Sequence, residues 1–325
     1  MAGKRVIIDT DYTTDVGDCG ALAVALSAHR MGYITLQGII VNTSYPYAPG
    51  GACAQAEWWG VDDLTYGCWK GTALEDTIGT PLWVKDVYDN FDHTEGLASS
   101  VTDSTDAYRT MLAAAPDRSV DIVSIGFMTC LSALLDSDAD GISGLTGDEL
   151  VTAKVRSLWV MGGAYPSGSA EYNFKGGESA VGFVCTATNN VCSNWPSPIR
   201  FIGFEAGTFT AGGTFGRATT DLISKAYTTH GSTSGRTAWD EQAVLACIQE
   251  GAEYAWHFGS QTVNTTTGVN TWTASNSGKD AYLTKAITDA KLQAKINVFI
   301  GATVTDSPLL TTWGSAQSTL QLQAA

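Results

Sequence analysis

Val6-Ile7-Ile8-Asp9-Thr10-Asp11, with Asp15 and Asp18 soon after, is the stretch that decides how the chain is read. Three branched apolar residues in a row predict a strand buried on both faces. Asp9, Asp11, Asp15 and Asp18 then fill the junction between that strand and a helix predicted over Cys19–Arg30. Acids this close repel one another unless protons or a cation compensate. Calcium, which takes roughly six to eight oxygen ligands, suits such a set. The spacing is not that of an EF-hand. A helix N-terminus also favours acids, so capping accounts equally well for Asp15 and Asp18. It does not account for Asp9 and Asp11, which stand at the strand end.

Working outward, apolar runs predict further strands at Leu36–Val41, Val120–Ile125, Val155–Met161, Ile199–Phe204 and Ile296–Ile300. Helical patterns fall between them at Ser104–Ala115, Met128–Leu135, Thr237–Glu250 and Lys279–Lys295. Asn264–Lys279, rich in Thr, Asn, Ser and Gly, reads as a surface hairpin or loop. Strand–helix alternation with continuous apolar strands predicts an α/β fold, an open and mostly parallel sheet flanked by helices. No linker is visible, so residues 1–325 read as one domain. Ligands of such sheets bind at the carboxyl ends of the strands. Asp9, Asp11, Asn42, Ser124 and Glu205 end predicted strands, which gathers the chemistry at that edge.

The net charge of −15, with 18 Lys and Arg, leaves no basic footprint for nucleic acid. No apolar run is long enough to span a membrane. The seven cysteines contain no Cys-x-x-Cys pair, which argues against a zinc or thioredoxin-like site. Cys185 and Cys192 bracket a polar segment at a spacing that permits a disulfide, whereas Cys19, Cys130 and Cys247 sit in apolar helical patterns. The start carries no signal peptide. Scarce lysine, abundant Thr, Ser, Gly and Trp, and two glycosylation triplets at Asn42 and Asn264 point to the mature form of a secreted protein over a cytoplasmic one.

Asp9-Thr10-Asp11 … Asp15-Val16-Gly17-Asp18 … Gly20-Ala21-Leu22-Ala23 resembles the aspartate fingerprint of the inosine–uridine-preferring nucleoside hydrolases. Further matches follow in order: Asn42 closing the second strand, Ser124–Thr129 as the central strand-to-helix turn, Glu171-Tyr172-Asn173 as a Glu-x-Asn segment, and Trp239-Asp240 opening a helix. The resemblance implies a Rossmann-like sheet and calcium-dependent hydrolysis of a ribonucleoside to base and ribose, in purine metabolism, by a homodimer or homotetramer. It implies Asp11 as general base and calcium ligand, Asp18 and Asp240 as carboxylate ligands, and the Ile125 carbonyl as another. Asn42, Glu171 and Asn173 would hold ribose hydroxyls, and Asp9 would orient the loop from behind.

Three departures touch sugar and base recognition. Gly17 replaces the first of a paired Asp-Asp that grips ribose; Asp15, on a longer loop, is the candidate substitute. Trp239 replaces the His that acts as leaving-group acid in the inosine–uridine type; an indole does not donate a useful proton but stacks on a base, which favours a purine. The family's Asn before Glu-x-Asn is not evident in Tyr165–Ala170. Three alternatives stay open: a weak or inactive nucleoside-binding protein, a hydrolase of a different riboside, and a secreted structural or carbohydrate-binding protein.

Glu205 ends a predicted strand and is a substrate-binding candidate. His93 lies in a polar stretch, Asp86–Ser104, that suits a lid, where it is a candidate leaving-group acid. His29 reads as a helix C-cap, and His230 and His257 as structural or exposed. Tyr45 and Tyr47 suit a pocket wall or loop packing, and Trp58-Trp59 a helix facing the core.

Overall fold

Strand and helix alternate along most of the chain in the computed structural model, which describes residues 3–74, 82–166, 168–177 and 181–302. The first half runs β1 (Lys4–Thr10), α1 (Gly17–Arg30), β2 (Ile34–Val41), α2 (Ala48–Trp58), β3 (Thr65–Cys68), α3 (Leu82–Asn90), α4 (Ser104–Ala114), β4 (Val120–Ser124), α5 (Thr129–Leu135) and α6 (Gly147–Lys154). The second runs β5 (Val155–Met161), α7 (Tyr172–Lys175), α8 (Val181–Asn194), β6 (Ile199–Ile202), a 3-10 turn (Phe204–Gly207), β7 (Thr210–Ala211), α9 (Leu222–His230) and β8 (Arg236–Thr237). It closes with α10 (Trp239–Ile248), β9 (Tyr254–Val263), β10 (Asn270–Ala274), β11 (Asp280–Lys285) and α11 (Asp289–Gly301). Among the described residues no helix is long and apolar enough to cross a membrane.

Among the described residues, nine strands form one sheet in the order β10-β9-β11-β6-β5-β4-β1-β2-β3. From β11 to β3 every neighbouring pair is parallel. β9 runs antiparallel to both β11 and β10. From β1 the chain passes to β2 on one side and later returns to β4 on the other. That reversal opens a crevice at the carboxyl ends of β1 and β4, directly after Asp9 and Ser124.

Alternation along β1 feeds two cores. Val6 and Ile8 share one apolar cluster with Leu22, Leu26 and Val244; Ile7 shares another with Tyr108, Leu112 and Leu131. Each such side chain contributes about 1.5–3 kcal/mol by leaving water. Helix α1 is buried from Gly17 to Ala28, so it is apolar all round rather than amphipathic. Its small residues let α10 approach closely. A Cβ on Gly20 would lie 2.2 Å from Glu241 Oε1 and 2.6 Å from the Tyr227 hydroxyl.

The predicted strands at the start of the chain and in its middle coincide with β1, β2, β4, β5 and β6. The C-terminal third differs. Ile296–Ile300 lies in α11, where Ile296, Phe299 and Ile300 are buried at helical spacing and Val298 is 42% exposed. Lys279–Lys295 divides into β11 and the start of α11; β11 is wedged between β6 and β9, and burial on both sides removes the strand alternation. Asn264–Lys279, by contrast, holds the second arm of a hairpin, β9–β10, as expected of a hairpin or loop, turned by the Asn264 side chain, which accepts from the backbone N–H of Thr266 and Thr267. Cys185 and Cys192 both lie on α8 and are free. Seven residues along a helix separate their Cα atoms by about 10 Å, too far for a disulfide.

Candidate functional site

A cavity of about 610 Å³ opens at the crevice between β1 and β4. Asp11, Asp18, Ile125 and Asp240 line it together, although they come from three separate parts of the chain. β1 delivers Asp11 and β4 delivers Ile125, while Asp18 and Asp240 sit in the first turns of α1 and α10. Two helix N-termini thus point positive dipole ends toward these acids. Tyr12, next to Asp11, holds a φ of 39°, a strained value for a non-glycine residue. Its buried ring is fixed by Gln55, which accepts from its hydroxyl at 2.7 Å, and by Trp83 at 4.9 Å between centroids. This anchor turns the chain away immediately after Asp11.

The acids are crowded. Asp18 accepts from the Thr10 hydroxyl and shares a hydrogen bond with Asp11. Burial pushes Asp18 up to about 7. Burial, then the charge of Asp18, hold Asp240 well above the carboxylate range. Behind it, Glu241 is wholly buried and raised for the same first reason. An all-oxygen donor set of Asp11, Asp18, Asp240 and the Ile125 carbonyl suits a hard cation. As placed, no three acidic, histidine or cysteine side chains among the described residues converge on one ion position. The donor chemistry fits a cation.

Asp9 lies below this floor, wholly buried. It accepts from Asn42 Nδ2 at 2.6 Å, the Tyr108 hydroxyl at 2.7 Å and Ser124 Oγ at 3.3 Å. Burial raises it to about 7 against these three hydrogen bonds. Asn42 is equally buried; its Oδ1 accepts from the Phe127 N–H at 3.1 Å, and its carbonyl accepts from Thr129 Oγ1. The structure places Asn42 beneath the Ile125–Phe127 turn and not among the cavity-lining residues.

Met161, Ser169, Ala170, Glu171, Tyr172 and Asn173 supply further lining. Glu171 caps α7 and accepts from the backbone N–H groups of Asn173 (3.0 Å), Gly163 (3.0 Å) and Phe174 (3.3 Å). Burial still raises it to about 7. Asn173 donates to the Met161 carbonyl at 3.1 Å. The loop before them is held from the far end of the sheet. Asn270 on β10 accepts from Ala164 N–H at 3.1 Å and donates to Ala164 O at 3.0 Å. Gln261 on β9 accepts from the Tyr165 hydroxyl at 2.5 Å and from Asn270 at 3.1 Å. Asn270→Leu removes both halves of the Ala164 clamp, and amide exchange at 162–166 should speed up at least ten-fold while that of β1 stays unchanged.

Thr14, Asp15, Phe204, His230, Arg236 and Trp239 line the rest of the cavity. Asp15 is held by Arg236, whose Nε and Nη2 donate at 3.0 and 2.6 Å, and accepts from Gly17 N–H at 3.0 Å. Asp15 therefore lines the cavity as half of an ion pair. A Cβ on Gly17 would stand 2.6 Å from Asp240 Oδ2, so an acid there would require the Asp240 carboxylate to move. Trp239 donates from Nε1 to Phe204 O at 3.0 Å, and the two rings lie 5.2 Å apart at 32°. Glu205 turns the other way; Oε2 accepts from Tyr165 N–H at 3.2 Å, and it does not line the cavity.

His230, which reads in sequence as structural or exposed, lines the cavity. Its Nδ1 pairs with Ser232 Oγ at 2.9 Å, its ring also hydrogen-bonds the Thr14 backbone, and burial lowers its pKa. Phe204, Arg236 and Tyr172 are likewise additions made by the structure. His93 is tied to the carbonyls of Glu95 and Tyr88, away from the cavity, and the lid stretch is fixed to α2 through Glu57 and Thr94. His29 accepts from Leu36 N–H instead of capping α1. Trp59 is core, Trp58 is 37% exposed, and Tyr45 and Tyr47 pack on the core margin.

No protein-family model and no curated protein matches the chain. Solved structures do. A plant nucleoside hydrolase, PpNRh1, superposes with a TM-score of 0.67 at 16% identity, covering 93% of this chain and 99% of that one. A purine-preferring ribonucleoside hydrolase from Gardnerella vaginalis gives 0.66 at 16% identity over 94% and 99%. The type III effector XopQ, complexed with adenosine diphosphate ribose, gives 0.63 at 14% identity over 92% and 93%. The chain has the α/β fold of these proteins over nearly its whole length.

Proposed function

We propose that the protein is a divergent nucleoside hydrolase that cleaves the N-glycosidic bond of a ribonucleoside with the aid of calcium. The observation that carries this reading is the meeting of Asp11, Asp18, Ile125 and Asp240 on one cavity floor, within that fold. Asp11, Asp18, Asp240 and the Ile125 carbonyl would hold the ion, which when bound makes a water more acidic. Asp11 takes the proton of the attacking water. Buried carboxylates stabilise the positive charge that develops on the sugar in an oxocarbenium-like transition state. The Glu171–Asn173 segment orients the ribose. Trp239 and Phe204 offer stacking surface to the leaving base.

The test is release of reducing sugar from inosine, guanosine, adenosine and uridine, paired with the calcium content of the protein. Ribose release that chelator abolishes and calcium restores is the expected outcome. No release from any of the four, nor from a riboside of a cationic base, at high enzyme concentration with calcium present defeats the reading. A second reading, nucleoside or ADP-ribose binding without turnover, is favoured by Trp239 in place of an imidazole and by the ADP-ribose complex of XopQ. Calorimetric binding without sugar release would select it. A homodimer or homotetramer is part of the proposal, and light scattering on the purified protein tests it.

Stability should depend on pH in a defined direction. Asp9, Asp18 and Glu171 stand near 7 when folded, against roughly 4 in the unfolded chain. Below about 4 both states hold the protons. Between about 4 and 7 the unfolded chain releases them while the folded one keeps them, so stability falls as pH rises through that window. Asp140, lowered to about 2, acts below it. The Tm of chelated protein should therefore drop between pH 5 and 7.5, and calcium should remove the share of the drop that comes from Asp18 while leaving that of Asp9 and Glu171.

A further inference from the structure

Resting on the hydrolase reading, we infer that the site is built for N-ribosides whose base already carries a positive charge, a pyridinium or N7-alkylated purine, which departs neutral. A neutral base leaves as an anion unless a proton is delivered to it. The chain has four histidines. His29, His93 and His257 are occupied elsewhere, by Leu36 N–H, by the carbonyls of Glu95 and Tyr88, and by Thr284 Oγ1. His230 reaches the cavity with Nδ1 on Ser232 Oγ and a further ring hydrogen bond to the Thr14 backbone. Trp239 has spent its one N–H on Phe204 O. Tyr172 lines the cavity with its ring against Phe127, but a phenol near pKa 10 is a weak acid for this task.

A cationic base needs no such donor. Water adds its hydroxyl to C1′ and gives its proton to Asp11. The C1′–N bond breaks, and its electron pair returns to the ring nitrogen and cancels the charge. Ribose, neutral base and one proton are the products. Charge also fits. Asp11, Asp18, Glu171 and Asp240 line the cavity, and the one arginine or lysine among the described lining residues, Arg236, is matched by Asp15. A bound dication would hold Asp11, Asp18 and Asp240 as carboxylates, leaving one negative charge in excess and no proton on them to give, and both Glu171 oxygens already accept backbone N–H groups. Trp239 offers the ring face that best attracts a cation, and the Arg236 guanidinium already lies 5.6 Å from its centre.

Inosine and 7-methylinosine share sugar and ring system and differ in that charge, so they form the decisive pair, with nicotinamide riboside as the pyridinium member. The native protein should show kcat/KM at least 100-fold higher for the two cations than for inosine. Trp239→His should raise inosine turnover and shrink the ratio ten-fold or more. Equilibrium binding to Asp11→Asn protein, a readout without turnover, should favour nicotinamide riboside over inosine about ten-fold, and Trp239→Ala should remove that preference. Inosine turned over as fast as 7-methylinosine overturns the inference and leaves the hydrolase reading standing. So does selective loss of inosine turnover in His230→Gln or Tyr172→Phe. No sugar from any of the three substrates sinks both.

Discussion

Asp11→Asn protein should release ribose at least 10³-fold more slowly than the native protein while unfolding at nearly the same temperature. Asparagine matches the shape of aspartate, so Tyr12 stays anchored on Gln55 and Trp83, and Thr43 Oγ1 still donates to the residue-11 carbonyl at 2.8 Å. What disappears is the acceptor for the proton of water. Positioned bases of this kind are worth about 10²–10⁴-fold, and a weakened cation shell adds to the loss. Calcium affinity should fall in parallel, measured by titration into chelated protein. Unchanged sugar release would remove Asp11 from the chemistry and return its acidity to a structural origin.

Asp9→Leu should lower stability by about 3–6 kcal/mol, because it strands two or three buried donors at about 1–3 kcal/mol each. Those donors are Asn42 Nδ2, the Tyr108 hydroxyl and Ser124 Oγ, on or beside β2, α4 and β4. One carboxyl group therefore joins β1 to three other elements beneath the site. The effect should exceed that of Asp11→Asn in urea unfolding and be smaller in activity per folded molecule. Equal stability of Asp9→Leu and native protein would mean that this network relaxes without penalty.

How much of this was legible in the residues follows from where the partners lie. β1, β2, β4, β5 and β6 are apolar runs buried on both faces, and such runs announce themselves locally. The acids after β1 are contiguous, so their crowding is visible before any fold is known. Asp240 and Ile125 needed the family resemblance, because nothing in their own neighbourhoods marks them. Arg236 could not be read at all: its partner Asp15 is 221 residues away. His230 has Asp15 beside it only in space. The family resemblance made Asn42 a sugar contact, but its buried amide turns inward to Asp9 and Phe127. β9 and β11 went unread for a different reason: β9 exposes Ala255, His257 and Phe258 alongside Ser260 and Thr262, and β11 loses its alternation to burial.

The clamp between Asn270 and Ala164 spans 106 residues of sequence. Because of it, the Glu171–Asn173 loop does not own its shape. A chimera that transplants residues 162–175 into a related scaffold would carry the letters without the conformation unless the β9–β10 arm travelled too. On the proposed function, variation in that distant arm is then a route by which sugar preference would drift while the acids at the floor stay untouched.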